Sequence, residues 1–155
     1  MNLHELEKTL ISVYGVRLAP EQQPDGSYMV GVGHRVSDSE HITSTSVLSL
    51  ESCGFYLTRD IAKCIGVANT IFGRDRFESF SDCRQNAIIE LVFAFGRDAF
   101  KSQCDFIECT NLHQWHLAAS SAFVWMTTDG GMEVSRALRI ESMFKNGSIP
   151  KEQAA

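Results

Sequence analysis

Three carboxylates stand where this chain could move protons. Glu21 and Asp25 lie in a stretch punctuated by Pro20 and Pro24, and Glu90 interrupts an apolar run from Ala87 to Phe95. Burial penalises an ionised carboxylate and lifts its pKa toward general-acid duty, which makes Glu90 a candidate acid. The competing reading, and the preferred one, is that Glu90 pairs with an arginine such as Arg136. His34 closes the run Gly31-Val32-Gly33-His34 and could serve as base or ligand; a structural histidine pinned by a carboxylate such as Asp60 is preferred. His113 and His116 have no third ligand at a supporting spacing, so neither a metal site nor a cofactor is expected. Glu5 and Glu7 fall early on a first helix and are expected to be solvated.

The elements that must hold these groups can be read from periodicity. Leu3, Leu6, Leu10 and Val13 recur at helical spacing, predicting an amphipathic helix over 2–13. Prolines and glycines break any helix from Tyr14 to Asp38. Within that stretch Tyr28 to Val32 alternates like a strand, and Asp25-Gly26 suits a hairpin turn. Ser37 to Ser46 reads as a loop. Ser49 is a good N-cap for a helix running toward Ala68, with Glu51 in its first turn. The segment Asp82–Phe95 is apolar nearly all round and is expected at the centre of the fold. Short helices follow around Ala99–Cys109 and Leu112–Trp125. A last helix has Glu133 in its first turn, with Val134, Ala137, Leu138 and Phe144 inward and Asn146-Gly147 as the stop. Ser148 to Ala155 reads as a loose tail. The expectation is one mainly α domain over 1–155 with a small β hairpin: a first helix (1–13), a hairpin-and-loop lobe (14–46) and a helical lobe (47–147).

Composition narrows the function. With 155 residues, 44% hydrophobic and 21% charged, the chain is ordinary for a globular domain with a sizeable core. A formal charge of −5 supplies no basic field for nucleic acid or anionic lipid, and weakly disfavours efficient attack on an anionic cell wall. The 5 cysteines are odd in number and lack a C-x-x-C pair, so mostly buried, reduced thiols are expected. The N-terminus has neither a basic n-region nor an apolar h-region, and no run is long enough to span a membrane. Synthesis in the cytoplasm without a signal peptide is expected, with no membrane partner.

Gly26-Ser27-Tyr28-Met29-Val30-Gly31-Val32-Gly33-His34 resembles the "G-x-x-T-I-G-x-G-H" signature of phage-type lysozymes, the muramidases of bacteriophages. Tyr14-Gly15-Val16-Arg17-Leu18 is similar to that family's "E-G-x-R-L". Arg84 to Gly96 resembles its buried central helix, "R-x-A-L-x-N-x-x-F-N-x-G", and Trp125 and Arg136-Ala137-Leu138-Arg139 fall where the family carries a tryptophan and a late arginine-bearing helix. The resemblance runs over residues 1–147. It implies a lysozyme-like α+β fold and a glycan site drawing on Tyr28, Gly31, Gly33, His34 and Arg136, the glycines letting a sugar chain approach the backbone.

Against that pattern the chemistry is missing. Tyr14 takes the place of the family's catalytic glutamate, Gln23 that of its aspartate, and Met29 that of its threonine. Glycoside hydrolysis needs one protonated carboxylic acid and a second carboxylate. Tyrosine, with a pKa of about 10, is a poor acid, and loss of a general acid alone costs on the order of 10²–10⁴ in rate. Tyr14 is read as packing, with a sugar-stacking platform shared with Tyr28 as the alternative. The leading expectation is therefore a catalytically degenerate lysozyme-like protein, a structural or peptidoglycan-binding module and a candidate virion tail or baseplate component. Its partners would be a glycan strand or phage structural proteins. The alternatives are an active endolysin using Glu21, Asp25 or Glu90 as relocated carboxylates, and a regulator that binds without cutting.

Overall fold

Gly15 ends the first helix by turning left-handed at φ 67°, its N–H donating to the Ile11 carbonyl at 2.9 Å. In the computed structural model, which describes residues 1–148, this helix is α1 (Leu3–Tyr14). Leu6 and Leu10 are its buried residues, whereas Leu3 and Val13, at the same helical spacing, are 48% and 38% exposed. They share the apolar stripe but sit at the two ends of the helix.

The described residues form two compact units, Leu3–Lys63 and Met1–Asn2 together with 64–148. In the first, the expected hairpin is a three-stranded antiparallel sheet in the order β1 (Arg17–Gln22), β2 (Tyr28–Gly31), β3 (His34–Arg35). The third strand was missed because two residues leave no periodicity to read. Pro20 lies inside β1, where a break in register between Arg17 and Glu21 accommodates it. An edge strand tolerates the missing N–H, so the proline bends this strand without ending it. The loop after β3 contains a 3₁₀ turn, Asp38–Glu40. Val30, Val32, Cys53, Leu57 and Ile61 are buried in this unit.

Ser49 caps α2 (Leu50–Phe72) as expected, its Oγ accepting from the Ser52 N–H at 3.1 Å. The helix runs past Ala68 to Phe72, and a short α3 (Arg74–Ser79), unforeseen in the sequence, follows Gly73. The second unit is built on α4 (Asp82–Lys101), in which Ala87, Ile88, Ile89 and Leu91 are fully buried. Phe93, Ala94 and Phe95 are only half-buried, and at Gly96 (φ 80°, ψ 171°) the helix kinks before a last turn to Lys101.

Three further helices complete this unit: α5 (Cys104–Asn111), α6 (Trp115–Thr128) and α7 (Val134–Asn146). Gly147 closes α7 at φ 64° with its N–H on the Met143 carbonyl. The buried stripe of α7 is Ala137, Ile140, Met143 and Phe144. Val134 and Leu138, expected inward, are 57% and 50% exposed, because a 3.6-residue period carries them to the other side of that stripe. Edge-on aromatic pairs tie Phe72, Phe80, Phe100, Phe106 and Phe144 into the core. None of the 5 cysteines is in a disulfide; Cys53, Cys64 and Cys83 are buried, Cys109 is half-buried and Cys104 exposed. Burial pushes the Cys83 thiol up to about 11. Beyond Ser148, the expected tail lies outside the described residues.

Candidate functional site

The sheet of the first unit carries most of the residues singled out in the sequence. Tyr14 is the last residue of α1; it is half-buried, and its carbonyl accepts a 2.9 Å hydrogen bond from the Arg17 guanidinium. Gln23 opens the turn between β1 and β2. Its N–H donates to the Ser27 carbonyl at 2.8 Å and its carbonyl accepts from the Gly26 N–H at 2.9 Å. The Gln23 side-chain amide donates to the Glu21 carbonyl at 3.2 Å, so it braces the turn.

Met29 sits mid-sheet, paired with Glu21 on β1 and Arg35 on β3. Directly opposed residues share a face, so Glu21, Met29 and Arg35 form one row. Both nearby carboxylates are engaged. Glu21 contacts Arg17 at 2.5 Å, and Asp25 contacts Arg35 at 2.9 Å. Asp25 also accepts hydrogen bonds from the Ser27 hydroxyl at 2.6 Å and the Ser27 N–H at 3.0 Å. The Ser27 and Arg35 hydrogen bonds hold its carboxyl well below the usual carboxylate range. Tyr28 is half-buried at the start of β2, its carbonyl taken by the Val36 N–H.

Gly31 and Gly33 flank Val32 in the turn into β3 with φ 59° and 68°, a left-handed backbone that favours glycine. A Cβ on Gly31 would lie 3.6 Å from Cys53, so the neighbour it approaches in this structure is α2.

His34 is 4% exposed and pinned on both nitrogens: Nδ1 lies 2.6 Å from Asp60 and Nε2 3.0 Å from Glu40. Its ring stacks on Tyr56 with centroids 4.5 Å apart. Arg59 contacts Glu40 and lies 4.7 Å over the same Tyr56 ring. Burial opposes a charge on His34, but the bonds and attraction of Asp60 and Glu40 together outweigh it and raise the imidazole pKa. Burial likewise opposes ionised Glu40, yet the Ser37 N–H, Arg59 and His34 bring it down to about 2. Asp60 is lowered too, its burial offset by His34 and Lys63. The pairing of His34 with Asp60 was anticipated, whereas Glu40 and Arg59 were missed. The Ser37-x-x-Glu40 spacing of a capping box was the available signal: the Glu40 carboxylate accepts from the Ser37 N–H at 2.8 Å.

In the second unit Glu90 is 1% exposed and meets two guanidinium groups of α7, Arg136 at 2.9 Å and Arg139 at 2.5 Å. The expected partner Arg136 is present, and Arg139 joins it one turn on. Among the described residues no group of three or more His, Cys, Asp or Glu side chains is placed to hold a metal ion. His113 packs edge-on against Phe80 and Trp115. No described helix is long and apolar enough to cross a membrane.

The model of the phage lysozyme family matches residues 12–140. The chain belongs to the phage lysozyme family. Its helices with a small antiparallel sheet are the lysozyme-like α+β architecture. The matched span includes the hairpin, the central helix α4 and both arginines that engage Glu90. No curated protein matches this lysozyme-family chain.

Proposed function

We propose that this member of the phage lysozyme family has given up glycan hydrolysis and serves as a binding or structural module. Its partner would be a peptidoglycan glycan strand or the proteins of a phage particle, such as a tail or baseplate. The observation that carries this reading is the state of the carboxylates. Tyr14, Gln23 and Met29 stand at the positions of the family's catalytic glutamate, aspartate and threonine. The three candidate replacements are committed elsewhere: Glu21 to Arg17, Asp25 to Ser27 and Arg35, Glu90 to Arg136 and Arg139. A retaining or inverting glycosidase needs one carboxylic acid that keeps a proton at working pH. For Asp25 the Ser27 and Arg35 hydrogen bonds stabilise the ionised form, the opposite of what a general acid requires, and Glu21 and Glu90 are held by arginine partners. A retained scaffold with altered chemistry is a common fate of a fold.

The deciding measurement is release of new reducing ends from purified peptidoglycan across a pH range, with an active phage lysozyme as control. No release at high protein concentration is expected. Release abolished by Glu21→Gln, Asp25→Asn or Glu90→Gln would overturn the reading and make the chain an endolysin with relocated carboxylates. Co-sedimentation with the same peptidoglycan separates a glycan-binding role from a particle role.

A further inference from the structure

A groove is lined wholly by residues of the second unit. Its volume is about 560 Å³, within the range of roughly 300–1,000 Å³ typical of small-ligand sites. Val67 and Ile71 of α2 and Ile107 of α5 line it with half-buried aliphatic side chains, and Leu112 stands exposed at its rim. Arg97 and Lys101, on the last turn of α4 beyond the Gly96 kink, line it as well. Neither cation has an ion-pair or hydrogen-bond partner among the described residues. Nor does Glu108, the only carboxylate of the lining. The lining thus carries a net positive charge in a chain whose formal charge is −5.

Unpaired cations beside half-buried aliphatic surface are complementary to a molecule with one anionic end and an apolar body. The kink makes this arrangement. Gly96 breaks α4 at φ 80°, so the turn bearing Arg97 and Lys101 does not continue the buried helix before it. We propose that the groove binds a single-chain amphiphilic anion, its aliphatic body against Val67, Ile71, Ile107 and Leu112 and its carboxylate at Arg97 and Lys101. The size of the groove favours a small amphiphile over a folded partner. The site is independent of the glycan reading, since it shares no residue with the sheet.

Cys104 reports on occupancy, because it lines the groove and its thiol is free and exposed. The experiment is peptide-resolved alkylation of the whole chain by iodoacetamide, with decanoate, decanol or decyltrimethylammonium below micelle-forming concentrations. Decanoate at ten times its dissociation constant should slow Cys104 alkylation roughly tenfold, with little effect from the decyl cation. The double variant Arg97→Gln, Lys101→Gln should abolish the decanoate effect. Both side chains are exposed, so the variant is expected to fold, which its circular dichroism verifies. Equal protection by all three decyl compounds, absence of protection by decanoate, or protection that survives in the double variant would each overturn the proposal.

Discussion

The Nδ1 atom of His34 lies 2.6 Å from Oδ2 of Asp60, a contact that ties β3 to α2 across 26 residues of chain. Carboxylates only accept, and a second one, Glu40, faces the other ring nitrogen, so the doubly protonated imidazolium satisfies both. The raised pKa of His34 means that its contribution to stability is complete below the ordinary imidazole value of about 6.5 and lost as pH rises through the folded value. The lowered Asp60 and Glu40 act in the opposite sense. Their contributions are present above the ordinary carboxylate values of about 4 and fade as pH falls through the folded ones. Stability from this cluster should therefore peak between about pH 4.5 and 6.5. Asp60→Asn should lower the His34 pKa in an NMR titration and cost about 3 kcal/mol within that window, less above it. An unchanged His34 titration would contradict the pairing.

Glu90 makes a separate prediction, about stability. Glu90→Gln leaves Arg136 and Arg139 facing a neutral amide in a buried setting, and should cost about 3–5 kcal/mol in urea unfolding. An unshifted unfolding midpoint would show that the pair contributes nothing net.

The proposed loss of hydrolysis is tested by placing the family's catalytic side-chain types at positions 14, 23 and 29. Tyr14→Glu with Gln23→Asp and Met29→Thr should raise reducing-end release over the parent chain by at least about 10², the lower bound for a positioned general acid. A folded triple variant with no gain would mean that more than these three side chains has changed.

Two glycines should respond oppositely to alanine. Gly96 has φ 80° and ψ 171°, a region only glycine populates freely, so Gly96→Ala should cost about 1–3 kcal/mol although no atom lies within 4 Å of the new Cβ. Gly66 lies inside α2 with equally open space, so Gly66→Ala should stabilise by about 0.5–1 kcal/mol. Thermal melts that moved in the same direction for both would refute the backbone argument.

Local signals were read well where the deciding interactions are close in sequence. The Ser49 cap, the Gly147 stop, the strand at Tyr28 and the buried run of α4 each follow from neighbours within one or two turns of chain. So did the family, since its signatures are short strings in a fixed order. The errors arose where two choices satisfy the same period. Leu138 and Ile140 are both apolar residues of α7, and only the packing of α4 and α6 against that helix selects the stripe holding Ile140.

The sequence by itself determined the family, through short strings in a fixed order, and the side chains that stand in and between those strings, Tyr14, Gln23 and Met29 among them, because that is a matter of residue identity alone. What the remaining carboxylates do was decided by tertiary structure. Glu90 could have been a buried acid or half of an ion pair, and the choice rests on Arg136 and Arg139 arriving from a helix more than forty residues away. The partners of a buried carboxyl are the groups that folding brings within a few ångströms, and they are not set by adjacency in the chain.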